Sequence, residues 1–375
     1  MTKKWSAEQV KRAKKQAKKG KGKKGEKQEV AGRKPEYTKS SHAHIHTASF
    51  FMPRFRVADF CAGTGAFSHA LAATGGYYPV YAHDISPHAE TMYNANHAIK
   101  LTRGDVLKLD VSSVPAHDVL CAGFPCQPFS RQGAMQGAND PRYQVWEVLL
   151  ELLSYHHPRA FVFENVPLLL RHNNGETWAK MHAELVALGY HVHAFELNTA
   201  VHSVVPQGRT RAFIVGLCTT RTEFATFAPP PPVPRLHPVS DFLALHTHFK
   251  YHYETKTNPT HVELMTHATD VATVYSYRSR EKTPERRVRA NKRNLCPTLL
   301  TNCGGHHTPI VRHGGVVRKL TPRECFSLQD LPTGYIVPRT VKDSNLYSLA
   351  GNAASYPIVR AMGERLWDVM TQIAV

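Results

Sequence analysis

A chain of 375 residues is long enough for one large domain with a smaller companion, or for two domains. It contains no run of about 18 apolar residues and does not start with a charged, apolar, small-residue signal, so composition points away from a membrane span or secretion and towards a cytoplasmic protein. The formal net charge is +18; residues 1–34 hold 14 Lys/Arg against Glu8, Glu26 and Glu29, a local +11 that leaves +7 for the other 341 residues.

Residues 1–50 are expected to form a solvated, disordered arm whose charge suits sequence-blind attraction to phosphate, or else a localisation signal. His42, His44 and His46 fall in this polar stretch and are read as incidental, not as metal ligands. From Arg54 to Cys218, apolar runs of strand length alternate with amphipathic segments, the pattern of a parallel sheet covered by helices on both faces. Strands are expected near 55–60, 79–84, 117–123, 160–165, 191–197 and 211–217. The first leads into DFCAGTGAFS (Asp59 to Ser68), where Gly63 and Gly65 permit a tight turn and close approach of backbone to a ligand. A GxG without the third glycine of the dinucleotide fingerprint is, alone, as often an ordinary strand-to-helix turn. Gly75 and Gly76 are expected to end the first helix, and Ser86 with Pro87 to open the second. Asp84 ends the second strand, where a carboxylate can bind ribose hydroxyls. Asp105, in Gly104-Asp105-Val106, is placed to meet an adenine amino group. Together they describe an adenosine-bearing cofactor without a pyrophosphate cradle.

The apolar run Asp118 to Phe124 ends at PCQPFS, Pro125 to Ser130. A cysteine just past a strand end and ahead of a Gly-rich loop is either a nucleophile or one more buried thiol. The seven cysteines, from Cys61 to Cys325, make no CxxC pair, which argues for reduced thiols and against a disulfide framework or a zinc site. Val145, Val148, Leu149 and Leu152 share one helical face and are core. Glu164 and Asn165 end the strand Arg159 to Phe163. A strand-end Glu is as readily a helix cap, but Glu164 and Cys126 end two strands on what should be one carboxyl edge, where open α/β sheets carry their sites. Gln207, Arg209 and Arg211 alternate along an extended segment and so project from one face. The prolines Pro229 to Pro232 break the pattern, and about 60 residues of poor periodicity follow, the start of a smaller domain. Within it, Arg278 to Arg293 hold eight Lys/Arg against Glu281 and Glu285, next to Tyr275 and Tyr277, a composition suited to nucleic acid.

Taken in order, these strings resemble the cytosine-5 methyltransferases that use S-adenosylmethionine. The likeness runs from Phe55 to Tyr356 and continues through Glu164-Asn165-Val166, Gln207-Gly208-Arg209-Thr210-Arg211, Cys296-Pro297-Thr298-Leu299, RKLTPREC (Arg318 to Cys325) with Leu328-Gln329, and Gly351-Asn352-Ala353. It implies an α/β fold, a doubly wound, mostly parallel sheet (the Rossmann-like methyltransferase fold) with a smaller target-recognition domain. Residues 51–218 and 340–375 would form the catalytic and cofactor domain and 219–339 the target-recognition domain. The resemblance implies S-adenosylmethionine held by Asp59, Cys61, Ala62, Gly63, Gly65, Asp84, Ile85, Asp105, Val106, Pro125 and Asn352. It assigns Cys126 to attack on cytosine C6, Glu164 to N3, Arg211 to O2 and Arg209 to support of the loop carrying Cys126. Gln127, Ser130, Asn165, Gln207 and Thr298 would meet the substrate, and the loop Gln127 to Asn139, hinged at Gly133 and Gly137, would close over a base flipped out of duplex DNA. Neither metal nor membrane is expected; the enzyme would be a monomer, with any cognate restriction endonuclease acting separately. Cys61, Ala66 and Leu349 depart from the family pattern and bear on cofactor affinity. The alternatives are a transfer RNA cytosine-5 methyltransferase and a catalytically silent DNA-binding homologue. The chain lacks the Cys-Phe-Thr triplet of the RNA branch, and Cys296-Pro297-Thr298-Leu299 favours DNA. Sequence preference would lie in about 219–295, in base-edge contacts that composition does not encode.

Overall fold

The computed structural model describes residues 54–125, 144–220, 226–234, 236–252, 272–277, 288–291, 294–303 and 308–373. The strands that carry the site read as nearly unbroken apolar runs, as strands covered on both faces must: β1 (Phe55–Phe60), β2 (Tyr77–Asp84), β4 (Val119–Ala122) and β5 (Ala160–Asn165). With β3 (Thr102–Arg103), β6 (Tyr190–Asn198) and β8 (Thr210–Cys218) they form a seven-stranded sheet in the order β3-β2-β1-β4-β5-β8-β6. The first five run parallel, whereas β8 lies antiparallel between β5 and β6. All six expected strands are present with ends shifted by a residue or two. The short β3 was not anticipated, because its two exposed residues carry no apolar signal.

Side chains alternate between the two faces with period two. Val57, Val119 and Val162 point into an apolar layer shared with α1 (Ala66–Ala72) and the C-terminal helix α8 (Tyr356–Ile373), while Ala58, Phe60, Leu120 and Phe163 join α3 (Gln144–His156) and α4 (Glu176–Ala187) on the other face. Return of the C terminus to the sheet is fixed by the Tyr77 hydroxyl, which donates to the Gly363 carbonyl at 2.8 Å. Ser86 opens α2 (Pro87–Asn96) as expected, its hydroxyl accepting from the His88 and Ala89 amides. The first helix stops at Ala73, earlier than its glycines suggested, and Gly76 is needed instead because a Cβ there would lie 2.2 Å from the Trp367 ring.

A four-stranded antiparallel sheet follows, in the order β10-β9-β12-β13. It comprises β9 (Thr273–Tyr277), β10 (Val288–Ala290), β12 (Ile310–His313) and β13 (Val316–Lys319). Gly314 and Gly315, at φ 57° and 72°, make the β12–β13 turn. Two strands of two residues each, β7 (Gln207–Gly208) and β11 (Cys296–Pro297), pair in parallel and tie residues 296–299 to those around Arg209. Val274, Val311 and Leu320 belong to the same apolar layer as Val57.

A buried ion pair ties the end of this sheet to the helix that follows it. Arg318 leaves β13 and forms a two-bond pair with Glu324 of α6 (Pro322–Ser327), at 2.7 and 2.8 Å, with both side chains 2% exposed. Glu324 also accepts from the Ala244 and Thr321 amides, and Thr321 caps the helix in return, a reciprocal capping box. A pair buried this deeply is stable only with its hydrogen bonds complete. Replacing one partner, as in Arg318→Met, leaves a buried carboxylate without its cation, and guanidinium unfolding should show a loss of about 3–5 kcal/mol.

Candidate active site

Parallel pairing places the ends of β4 and β5 side by side. The ladder runs from Val119 opposite Ala160 to Ala122 opposite Phe163, so the last residues of β5, Glu164 and Asn165, stand beside the Gly123–Pro125 turn that leaves β4. Asn165 fastens them: its side-chain amide donates to the Phe124 carbonyl at 3.3 Å while its oxygen accepts from the Val166 amide. The antiparallel sense of β8 brings in the third component. Asn165 pairs with Ala212, so the start of β8, and with it Arg211, arrives at the carboxyl edge. Arg211 Nε lies 3.1 Å from Glu164 Oε1 and Arg209 Nη2 lies 3.9 Å from the same atom. Neither contact is aligned as a hydrogen bond, so Oε1 is buried between two cations without a donor.

Arg209 is 1% exposed and bonds to three carbonyls: Leu299 at 3.2 Å, Gly351 at 3.2 Å and Ala353 at 2.7 Å. Two of these belong to the carboxyl end of α7 (Asp343–Asn352), where helix carbonyls lack partners and the dipole favours a cation. Gly351 is required by contact, not by φ, since a Cβ there would lie 2.4 Å from the Leu300 carbonyl. Thr298 donates its hydroxyl to the Gly208 carbonyl at 2.7 Å, and Gln207 is fully buried with its amide on the Leu328 carbonyl at 2.6 Å. Both side chains therefore brace the same segments from within the protein.

The strand order turns back between β1 and β4, the switch point at which open α/β sheets leave a crevice. Its walls are the Cys61–Gly65 loop and the Gly123–Pro125 turn, and a Cβ on Gly63 or Gly123 would meet nothing closer than the Cys61 carbonyl at 3.9 or 4.0 Å. Asp84 takes the Gly63 amide on one oxygen and the Ser86 amide on the other, at 2.9 and 2.8 Å. Next to it Ile85 is 67% exposed. Asp105 accepts from the Leu107 amide, Val106 is buried, and Asn352 is exposed at the end of α7. Open backbone, an apolar platform and a carboxylate fit an adenosine-bearing group. Asp59 is closed to solvent and works from beneath: its Oδ2 accepts from the Ser68 amide and hydroxyl at 3.0 and 2.7 Å, and the Tyr93 hydroxyl donates to Ser68 at 3.0 Å. Burial raises the Asp59 carboxyl to about pH 7 against the Ser68 hydrogen bonds. Burial also pushes the Cys61 thiol up, which leaves it inert.

The family model described as C-5 cytosine-specific DNA methylase matches residues 55–368. The chain belongs to that family. It is therefore a DNA (cytosine-5) methyltransferase, of a family that uses S-adenosylmethionine. It is 32% identical over 320 residues to the Type II methyltransferase M.Bsp6I of Bacillus sp. (strain RFL6), a match covering 84% of this chain and 99% of that one. Its fold is similar to the Entamoeba histolytica methyltransferase EhMeth (TM-score 0.63, 16% identity, 85% and 99% of the two chains). It is equally similar to the Schizosaccharomyces pombe (S. pombe) Dnmt2 methyltransferase (0.62, 19%, 86% and 100%).

In this methyltransferase Cys126, Gln127 and Ser130, with the whole loop from Gln127 to Asn139, lie outside the described residues. The structure joins Glu164, Asn165, Arg209 and Arg211 into one cluster and sets Gly63, Asp84 and Pro125 around one crevice. Sequence reasoning missed Ser68, whose hydroxyl bonds Asp59, and Tyr93, whose hydroxyl bonds Ser68, and the Arg318–Glu324 pair, although Thr321-x-x-Glu324 is a legible capping box.

Lysine cannot span the three carbonyls that Arg209 joins, so Arg209→Lys should cost about 3 kcal/mol in guanidinium unfolding. For Asp59, a folded value raised to about 7 means that stability is fully present below the ordinary carboxylate range and is lost as pH rises towards 7. Asp59→Asn removes that linkage, and its stability relative to the parent should climb between pH 4 and pH 8. A difference that is flat with pH would refute the assignment.

Proposed function

We propose that the enzyme methylates C5 of cytosine at a short specific sequence in duplex DNA, through a covalent bond between Cys126 and C6 of a flipped base. The reading is carried by one observation: Glu164 Oε1 is buried without a hydrogen-bond donor beside Arg211, one strand from the turn that leads to Cys126. A neutral cytosine would complete this arrangement, its O2 accepting from Arg211 and its C4 amino group, next to N3, donating to Glu164 Oε1. Carbon 5 of cytosine is a weak nucleophile until the ring is made electron-rich. The Cys126 sulfur adds to C6, the C5=C6 π electrons move into the ring, and N3 takes a proton shared with Glu164. Arg211 holds the O2 oxygen. S-adenosylmethionine, when bound in the β1/β4 crevice, supplies an electrophilic methyl group on its sulfonium. With the methyl group on C5, N3 gives its proton back to Glu164, and loss of the C5 proton to a base or water returns the electron pair that expels Cys126, restoring thiolate and aromatic ring.

Asp84 and the Gly63 backbone would hold the ribose end of the cofactor, Ile85 the adenine face, and Pro125 with Asn352 the side nearest Cys126. Arg209 acts as a positioning residue, since its bonds are to carbonyls of the protein. Extraction of the base costs a few kcal/mol, offset by contacts in a closed pocket. The enzyme would serve as the modification partner in a restriction system.

The test is transfer of label from methyl-labelled S-adenosylmethionine to duplex DNA and to transfer RNA. Label should enter DNA and not RNA, Cys126→Ser should abolish it, and Glu164→Gln should lower kcat about 10²–10⁴-fold with cofactor affinity intact. A duplex carrying 5-fluorocytosine, which has no C5 proton to lose, should trap the wild-type chain as a denaturation-resistant adduct. Label persisting in Cys126→Ser DNA, or no adduct, would sink the covalent mechanism.

A further inference from the structure

We propose that Tyr335 is a positioning residue for S-adenosylmethionine: set by Asn96 and Arg323, its hydroxyl fixes the Thr64–Gly65 peptide and with it the Cys61–Gly65 loop that lines the β1/β4 crevice. The inference rests on the reading of that crevice as the cofactor site. Tyr335 is 3% exposed and 271 residues away from Thr64 in sequence, yet its hydroxyl donates to the Thr64 carbonyl. The N–H of the same peptide unit, that of Gly65, donates to the Ala62 carbonyl at 2.7 Å. A trans peptide points its C=O and N–H in opposite directions, so this one is held from both sides. Gly65 has φ 73°, and a Cβ on it would lie 2.3 Å from His97 Nε2 and 2.8 Å from the Tyr93 ring. Those two rings stack behind it with centroids 3.9 Å apart. Burial, with His69 acting in the same sense, lowers the His97 imidazole to about 4, so the ring packs there uncharged.

The hydroxyl is aimed by bonds to the backbone on either side of it. Asn96, the last residue of α2, meets Ile336 as a second peptide would: its side-chain oxygen accepts from the Ile336 amide at 2.6 Å, and its own amide donates to the Ile336 carbonyl at 2.9 Å. Arg323 of α6 donates to the Tyr335 and Thr333 carbonyls, and the Tyr335 amide closes a turn on the Pro332 carbonyl at 2.8 Å. The ring meets His69 edge-on, with centroids 5.5 Å apart. A phenylalanine would fill the same volume and make the same ring contacts. What the tyrosine adds is the bond to Thr64, and without it a buried carbonyl loses its donor. The loop would then have to be ordered by the ligand itself, which weakens binding.

The test compares Tyr335→Phe with Tyr77→Phe in the full-length enzyme. Each removes one buried hydroxyl that donates to a backbone carbonyl, but Tyr77 stands at the amino end of β2 and binds Gly363 of α8, away from the crevice. Tyr335→Phe should bind S-adenosylmethionine and its demethylated product S-adenosylhomocysteine about three- to tenfold more weakly. KM for S-adenosylmethionine should rise by a similar factor, with kcat and DNA affinity kept. In the ligand-free enzyme, hydrogen exchange at the Gly63 and Gly65 amides should quicken. Tyr77→Phe should change neither cofactor affinity nor exchange at those amides. Asn96→Ala should act in the same direction as Tyr335→Phe and add nothing to it, because both work through one hydroxyl. Unchanged affinity, a loss confined to kcat, an equal loss in Tyr77→Phe, or additive losses in the Asn96→Ala/Tyr335→Phe double variant would each overturn the inference. If the parent enzyme binds neither compound, the reading of the crevice fails on its own, and exchange at Gly65 still decides whether the Tyr335 hydroxyl holds the loop.

Discussion

A guanidinium closed off from water is among the costlier groups a protein can bury, and Arg209 is acceptable only because carbonyls of two other chain segments converge on it. Leu299 supplies one carbonyl and Gly351 and Ala353 two more, from segments far from Arg209 in sequence. Two of the carbonyls are the open end of a helix, whose dipole and unpartnered lone pairs accept a cation without further accommodation. The same guanidinium lies 3.9 Å from Glu164, so the side chain that holds the segments together also stands beside that carboxylate.

The sheet supplies what Arg209 cannot. Parallel pairing brings the ends of β4 and β5 out together, and one reversed strand, β8, delivers Arg211 to the edge that a parallel strand would have left at the other end. Asn165 then ties strand end to turn with one hydrogen bond, donated to the Phe124 carbonyl, while its oxygen is held by the Val166 amide. On the opposite side of β4 the reversal of strand order opens the β1/β4 crevice, and Asp59, Ser68 and Tyr93 support the Cys61–Gly65 loop from the interior. The two halves of the site are thus neighbours because β1, β4 and β5 are neighbours.

Much of this was legible in the chain. The six long strands could be located because buried parallel strands are apolar throughout, and the helix start at Ser86-Pro87 because its capping chemistry is local. Glu164 could be suspected from its place after Phe163. The four-stranded sheet was not legible: its strands are three to five residues long, and its pairing joins segments with polar and basic residues between them. Gln207, Arg209 and Arg211 look alike as an alternating polar run, yet Gln207 turns to a carbonyl 121 residues away, Arg209 to carbonyls 90 to 144 away, and Arg211 to Glu164. Periodicity gives the side of a strand, not the partner found there.

By itself the sequence determined the class of fold, the order of the chemical groups along it and the family, because each of these depends on residue type at short spacing. It also determined the charge of residues 1–34, which no folding changes. Only the tertiary structure decided that Asp59 is shut beneath the Cys61–Gly65 loop, that Arg209 is a clamp and Arg211 a neighbour of the carboxylate, and that Arg318 and Glu324 tie β13 to α6 through one buried pair. Those outcomes depend on burial and on distances between residues remote in sequence, and burial is a property of the folded whole.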